Sequence, residues 1–208
     1  MKIDSPKINI YKESTFNECK KDDNFSNILI NESSNCTIFL HDITLDSCIF
    51  NNIDFNNIDL DNVSILDCEF NNCDLSNKVF SNNSIHRVVF NDCKLSGCDL
   101  SNTGISNVKF NNTVFRYGNL SNSKIRNVIF KSCDLTECSI MEVDIKNLVI
   151  DNCNLTKSDI YHTSMFDIDL SNSNIDMIRI DNYSLKGIIV SEYQALSLVT
   201  LLGIKIKD

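Results

Sequence analysis

Cysteine is the residue type in this chain with the greatest capacity for chemistry, because its thiol can form disulfides, bind metals or act as a nucleophile. The chain contains ten cysteines. Eight of them stand two residues before a large apolar residue in a regular pattern: Cys48, Cys68, Cys73, Cys93, Cys98, Cys133, Cys138 and Cys153. Elsewhere in the pattern the same position holds small residues such as Val63, Thr103 and Gly118. We therefore interpret these cysteines as small hydrophobic side chains of a core.

Disulfide bonds and a metal site are the alternatives for such thiols. Cysteines twenty residues apart, such as Cys73 and Cys93, are predicted to stack at about the 4.8 Å spacing of neighbouring strands, which a disulfide can span. Residues 1–14 lack the apolar core of a secretion signal, so we expect a cytoplasmic protein with reduced thiols. No histidine shares the position, and a zinc site is therefore not expected.

The other residues that could catalyse a reaction do not form a recognisable set. His41, His86 and His162 are scattered, and the phase of the pattern points His86 and His162 outward. The chain has five glycines, and neither a glycine-rich phosphate loop nor a nucleophile elbow is present in the sequence. We expect no enzymatic activity, no cofactor and no metal, and no stretch approaches the roughly 18 apolar residues of a membrane span.

All these residues are positioned by a repeating unit of five residues. From Phe50 to Leu135 every fifth residue is large and apolar, and the pattern extends from Leu40 to Val190 without insertion or deletion. An amphipathic helix has a period of 3.6 residues and a strand a period of two, so a period of five fits neither. A short and regular internal repeat is typical of a solenoid.

A second period of twenty residues lies within the first. Every twentieth residue from Phe50 belongs to one column: Phe50, Phe70, Phe90, Phe110, Phe130, Ile150, Leu170 and Val190. A second column holds mostly isoleucine: Ile65, Ile85, Ile105, Ile125, Ile145, Met165 and Leu185. Twenty residues are four fives, so the pattern predicts a coil with four sides, in which like residues stack on like.

Three segments carry a resemblance to a known family. CDLSN at 73–77, CDLTE at 133–137 and GCDLSN at 97–102 closely match the consensus of pentapeptide-repeat proteins. The chain thus resembles this family over most of its length, and the resemblance implies an all-β, right-handed quadrilateral β-helix. We expect the β-helix over residues 36–190, with a cap and degenerate first coils in residues 1–35. A C-terminal helix and short strand that form a dimer contact are expected in residues 191–208.

Asparagines recur at the predicted corners, where they tolerate turn dihedrals and can stack as amide ladders. Three columns are expected: Asn52, Asn72, Asn112, Asn152 and Asn172; Asn62, Asn82, Asn102 and Asn122; Asn107, Asn127 and Asn147. One place breaks the pattern, because Lys78 occupies an inward position that normally holds a small residue. A buried lysine is costly, so we predict a bulge or an altered turn near residues 77–84.

The charge of the chain restricts its partners. There are 19 basic and 28 acidic residues, giving a net charge of −9. Such a rod repels nucleic acid and favours basic surfaces, so no direct nucleic-acid binding is expected. Two adjacent sides carry columns of carboxylates that could bind a partner: Asp54, Asp74 and Asp134 on one, Asp59, Asp99 and Asp159 on the next. Lysines and arginines interrupt the columns, and solubility alone explains the net charge equally well.

The last eighteen residues change period. Ser191 and Gln194 are spaced as the two partners of a helix capping box, and Gly203 fits a helix stop. The apolar residues between them fall all around the helix, so one side remains to be covered by a partner. Residues 204–207 alternate like a short strand. We expect a homodimer formed through Tyr193, Leu196, Val199, Leu202 and Ile204.

The tail sharpens the resemblance. Tyr193-Gln194-Ala195 and Leu202-Gly203-Ile204 are similar to the C-terminal dimerisation segment of the Qnr-type quinolone-resistance proteins. This resemblance implies a dimer that imitates duplex DNA, binds DNA gyrase and topoisomerase IV and protects them from quinolones. The loop insertions of many Qnr proteins are absent between Leu40 and Val190. Two alternatives remain open: a scaffold for an unrelated protein partner, and self-immunity against a peptide that poisons topoisomerases.

Overall fold

The computed structural model describes residues 1–10, 12–21 and 24–205 of the chain. Short parallel strands wind into a four-sided β-helix, in which each coil takes twenty residues. Phe70 lies opposite Phe50 in one neighbouring coil and opposite Phe90 in the other. The same register continues to Phe130 and Ile150, so the coil predicted from the sequence is confirmed.

The elements follow the chain in a fixed order. Its first half contains β1 (Lys12–Glu13), α1 (Phe16–Lys21), β2 (Ile28–Ile30), β3 (Ile38–His41), β4 (Thr44–Asp46), β5 (Ile49–Asn51), β6 (Ile58–Asp61), β7 (Ser64–Asn71) and β8 (Ser84–Asn91). The second half contains β9 (Gly104–Asn111), β10 (Lys124–Lys131), β11 (Ser139–Met141), β12 (Asp144–Asp151), β13 (Asp159–Tyr161), β14 (Arg179–Ile180), α2 (Asn182–Leu185) and α3 (Glu192–Leu201).

The strands form three sheets along the coil. The largest follows the order β1-β2-β5-β7-β8-β9-β10-β12, with β4 also paired to β7. The other two are β11-β13-β14 and β3-β6. On the remaining sides, single parallel bridges such as Asp74 to Lys94 hold adjacent coils together. From β2 onward every pairing joins residues twenty positions apart in successive coils, whereas β1 pairs with β2 at a separation of sixteen.

The core contains a continuous stack of phenylalanine rings. The ring centroids of Phe70 and Phe90 are 4.9 Å apart, and those of Phe90 and Phe110 are 5.0 Å apart. Phe110 and Phe130 are 4.6 Å apart with their planes within 5° of parallel. All these side chains are buried. Aromatic stacking adds about 0.5–1.5 kcal/mol per pair to the hydrophobic contribution of each buried ring.

The small inward position has a hydrogen-bonding role as well as a steric one. Cys98 Sγ donates to the carbonyl oxygen of Leu75 at 2.9 Å, and Thr103 Oγ1 donates to that of Phe80 at 2.8 Å. Each carbonyl belongs to a core residue of the preceding coil. A thiol or hydroxyl therefore fits the space and also donates to a buried acceptor, which explains why Cys, Ser and Thr alternate here.

The ten cysteines are all free thiols. Nine are buried, and Cys36 is exposed. Burial raises the pKa of Cys98 and of Cys138 to about 12. Folding therefore keeps these two thiols protonated in the pH range in which an exposed thiol ionises.

Asparagine is favoured at the corners because the backbone there is left-handed. Asn72 has φ of 52° and Asn127 has φ of 54°. Side-chain amides connect Asn107 to Asn127 and Asn127 to Asn147, as predicted. In the second predicted column, Asn62 donates to Asp42, and no amide bond joins Asn82, Asn102 or Asn122 to one another in the described chain.

The longest amide ladder was not predicted. It follows the phenylalanine column by one residue and consists of Asn31, Asn51, Asn71, Asn91 and Asn111. Its N–O distances are 2.8–2.9 Å. The spacing of twenty residues was visible in the sequence. The predicted columns contained corner residues alone, whereas Asn51, Asn71, Asn91 and Asn111 lie on strands and not at turns.

The chain departs from the regular ladder at Lys78. Within the described residues, no backbone hydrogen bond joins residues 57–63 to residues 77–83. Lys78 Nζ instead donates to the carbonyl oxygen of Ile58 at 2.7 Å. Asn77 and Asn82 keep the positive φ of ordinary corners, but the chain makes a tight turn at residues 81–82 where the preceding coil is extended at residues 61–62, so the altered turn predicted near residues 77–84 is present and an opening of the ladder accompanies it. It lies where the extended strand β6 gives way to a tight turn in the next coil.

The first 35 residues divide into two parts. In α1, Phe16 packs against Phe50 and Phe55, with ring centroids 6.1 Å and 5.8 Å away, at the start of the stack. Residues 1–10 depart from the expected cap. They lie along the outside of later coils, where the backbone N–H of Lys7 donates to Asp67 Oδ1 at 2.8 Å.

Two short helices lie near the C-terminal end of the described chain, α2 within the last coil and α3 after it. Asp181 caps α2 by accepting from the backbone N–H of Ser184 at 2.8 Å. Ser191 and Gln194 form the predicted capping box at the start of α3, and Gly203 after its end has φ of 73°. Ile204 and Lys205 are not in a strand. The remainder of the predicted strand, residues 206 and 207, lies outside the described residues.

The phenylalanine stack yields a stability prediction. We expect Phe90→Ala to lower the free energy of unfolding by about 3–5 kcal/mol, because it removes a buried ring between two others. Phe90→Leu keeps most of the volume and should cost less than about 1.5 kcal/mol. Urea denaturation followed by circular dichroism measures both, and equal losses for the two variants would contradict a tightly packed stack.

Thiol labelling tests the burial of the cysteines. In the native protein at pH 8, iodoacetamide should modify Cys36 alone, because the buried thiols are inaccessible and Cys98 and Cys138 remain protonated. Intact-mass spectrometry should show one adduct before unfolding and ten after it. A Cys36→Ser variant is the control and should show no native adduct. Rapid native labelling of several cysteines would refute the interpretation.

Candidate interaction surfaces

The first predicted acidic column is interrupted in the structure. Parallel bridges place Asp54 beside Asp74, and Asp74 beside Lys94. The column continues through Val114 before it reaches Asp134. The structure therefore brings Asp54 and Asp74 together, and two intervening residues separate Asp134 from them.

Two carboxylates of this column are already paired within the chain. Lys94 Nζ is 3.7 Å from Asp74, and Arg116 Nε is 2.6 Å from Asp134. Partial burial acts to raise the pKa of Asp74, but hydrogen bonds from Ser76 outweigh it and the pKa is lowered. The pKa of Asp134 is lowered in the same way. Both groups are therefore ionised at neutral pH, with part of their charge compensated.

The second acidic column is also discontinuous. Bridges connect Val79 to Asp99, then Asn119, Ser139, and through β13 Asp159 to Arg179. Arg179 Nε and Nη2 donate to the two carboxylate oxygens of Asp159 at 2.5 Å and 2.7 Å. The open ladder beside Lys78 separates Asp59 from this column, and Asp59 lies 3.5 Å from His41 Nε2.

Two of the six predicted carboxylates, Asp54 and Asp99, have no lysine, arginine or histidine within 4 Å among the described residues. The same side as Asp99 carries further acidic residues that were not predicted: Asp42, Asp61 and Glu142. These three are exposed. Each follows a central apolar residue of the repeat by one or two positions. The predicted carboxylates were sought only at the position before the central residue, and a count at the positions after it would have found these three as well.

The C-terminal helix is held firmly by one side. Gln194 is buried, and its Nε2 donates to the carbonyl oxygens of Leu170 at 2.9 Å and Ser173 at 2.6 Å. Leu198 packs into the core one turn later. Both side chains lie at the end of the coil, so the direction of α3 is fixed by contacts with the last full turn of the β-helix.

The other side of α3 is apolar and uncovered. Tyr193 is 77% exposed, and Leu196, Leu202 and Ile204 are also exposed. Val199 is half-buried. The predicted dimer residues therefore lie near one another at the end of the rod. A groove of about 690 Å³ runs between α3 and residues 173–178, and it is lined by Leu196, Leu201, Met177 and neighbouring residues.

The described residues offer neither a metal-binding cluster nor a helix suited to a membrane. No group of three or more histidine, cysteine, aspartate or glutamate residues in this part of the chain is placed to hold a metal ion. Likewise, none of the described helices has the length and apolarity needed to cross a membrane.

Comparison with known proteins agrees with the geometry of the coils. The family "Pentapeptide repeats (8 copies)" matches residues 40–77, and "Pentapeptide repeat region" matches residues 63–139. No curated protein matches the chain. Among solved structures, a trypsin-treated variant of QnrB1, a plasmid-mediated fluoroquinolone resistance protein, is 21% identical. That match covers 95% of each chain with a TM-score of 0.53.

Full-length QnrB1 is 19% identical to this chain. The match covers 95% of this chain and 97% of that one, with a TM-score of 0.52. Likeness at these identities shows a shared fold. Together with the twenty-residue register of the coils, the two family matches identify residues 40–139 as pentapeptide repeats.

Proposed function

We propose that this protein binds a type II topoisomerase, DNA gyrase or topoisomerase IV, in place of duplex DNA and thereby protects the enzyme from quinolones or related poisons. The observation that carries the proposal is the full-length likeness in fold to a fluoroquinolone resistance protein. The similarity of the tail at Tyr193-Gln194-Ala195 and Leu202-Gly203-Ile204 supports it. The net charge of −9 is compatible with a basic DNA-binding surface as partner.

The working form in this proposal is a homodimer. A twofold axis beside α3 would place the uncovered side chains of Tyr193, Leu196 and Leu202 against their counterparts in a second copy. Burial of such apolar side chains favours association, and each full side chain contributes about 1.5–3 kcal/mol. Asp54 and Asp99, the two predicted carboxylates without a basic neighbour, lie away from this end of the rod.

A scaffold for an unrelated protein partner is the second candidate. The observation that favours it is the pairing of Asp74, Asp134 and Asp159 with cations of the same chain. An interrupted acidic side resembles duplex DNA less than a continuous one, because DNA presents regularly spaced phosphates.

A supercoiling assay separates the two candidates. With gyrase, a fluoroquinolone and the purified protein, we expect drug inhibition to be relieved as protein is added. The double variant Asp54→Asn/Asp99→Asn should need about fivefold more protein or greater for the same relief, because it removes the two unpaired carboxylates.

The matched control for that assay removes two charges elsewhere. Glu69→Gln/Asp92→Asn changes another side of the rod, and its protection should equal that of the natural sequence. Unaltered drug inhibition over a wide range of protein concentrations would leave the scaffold as the better candidate. Equal loss of protection in both double variants would show that net charge, and not position, matters.

The dimer is tested by light scattering after size-exclusion chromatography. We expect Leu196→Glu to raise the dimer dissociation constant by about 30-fold or more, because it places a charge in an apolar contact. Val79→Glu is the control, since Val79 is equally exposed but lies far from the tail. A monomeric natural sequence, or equal weakening by both variants, would contradict dimerisation through α3.

A further inference from the structure

The last strand of the largest sheet, β12, has one unpaired edge. β12 pairs with β10 on one side. On its other side, no backbone hydrogen bond joins it to residues 164–171 in the described chain. As at Lys78, the interruption lies where an extended corner is followed by a tight turn in the next coil. The free N–H and C=O groups of such an edge can bind an extended peptide.

The open ladder creates an apolar groove beside β12. Ile145 and Leu148 are only half-buried, whereas Ile125 and Val128 at the same positions one coil earlier are fully buried. The groove has a volume of about 450 Å³, and residues from both walls line it, including Ile145, Leu148, Phe166 and Ile168. We call this feature the β12 groove.

The first ten residues of the chain, which we call the arm, lead into this groove. Ser47 Oγ donates to the carbonyl oxygen of Lys7 at 3.4 Å, and the N–H of Asp4 donates to Asn107 Oδ1 at 3.4 Å. Met1 then lies among the residues that line the β12 groove. The arm therefore climbs one corner of the rod, across several coils. Its apolar residues Ile3, Pro6 and Ile8 are half-buried.

A polar cluster holds the base of the arm. Asp67 is only 5% exposed, although Asp167 at the same corner is exposed. Arg87 Nε and Nη2 each donate to Asp67 at 2.6 Å, and the Lys7 N–H adds a third donor. The hydrogen bonds from Arg87 lower the pKa of Asp67 despite its burial. A buried carboxylate with three donors fixes the position of the backbone that covers it.

We propose that the β12 groove is a peptide-binding site, that the arm is its resident ligand with Met1 seated in the groove, and that the Asp67–Arg87 pair is the latch that keeps the arm in place. The groove supplies apolar side chains and an unpaired strand edge, and the arm supplies an extended segment with apolar residues. This binding site lies away from α3 and does not depend on the topoisomerase proposal. Release of the arm makes the edge of β12 available to another extended segment.

A synthetic peptide of residues 1–10 tests the groove directly. It should bind a variant that lacks residues 2–9, and the full chain should bind it about tenfold more weakly or not at all, because its own arm competes. Adding Leu148→Asp to the deletion should weaken binding about tenfold or more. Circular dichroism confirms that the deletion variant is folded, and a scrambled peptide is the control.

The full chain tests the latch. Asp67→Asn should increase amide hydrogen exchange in β12 about fivefold or more, with exchange in β13 unchanged, because the arm is released. Asp92→Asn is the matched control, since Asp92 accepts from Asn112 and does not contact the arm. Unchanged exchange in Asp67→Asn, or equal peptide binding by the full chain and the deletion variant, would overturn the proposal.

Discussion

The structure depends on one constraint, the parallel register in which every residue lies beside the residue twenty positions away. This register lets a phenylalanine stack on a phenylalanine and an asparagine amide donate to another asparagine amide. It also gives inward thiols and hydroxyls such as those of Cys98 and Thr103 a carbonyl acceptor in the preceding coil. Because each coil is stabilised mainly by its neighbours, interactions that are weak singly combine along the whole rod.

The register fails at two places. The ladder opens beside Lys78 and again beside β12, in both cases where an extended corner is followed by a tight turn. A tight turn followed by an extended strand in the next coil does not open the ladder. There the N–H of Leu120, in a tight turn, still donates to the carbonyl oxygen of Ser139 in an extended strand. At the first opening, Lys78 Nζ donates across the gap to the carbonyl oxygen of Ile58 in the preceding coil. The other is lined by Met1 from the opposite end of the sequence.

The periodicity of the sequence predicted the features that depend on the twenty-residue register. The coil, the buried columns, the reduced thiols and the capped helix α3 all follow from spacing and residue type. It could not predict the arm, because residues 1–10 carry no period and are held by Asp67, a residue that looks like any other corner. It placed an altered turn near Lys78 but did not predict the open ladder beside it. The spacing gave the positions of six carboxylates, yet the pairing of three of them with Lys94, Arg116 and Arg179 depends on side-chain geometry.

The charge of the rod limits how closely it can imitate DNA. Nine net negative charges over about eight coils of about 4.8 Å amount to about one charge per 4 Å of length. Duplex DNA carries one charge per about 1.7 Å, more than twice that density. End-to-end association of two rods would double the length and leave the density unchanged. A partner that accepts this rod in place of DNA must therefore gain part of its binding energy from shape and apolar contact. The exposed apolar side chains of the tail and of the coil sides are then expected to contribute to binding as much as the carboxylates do.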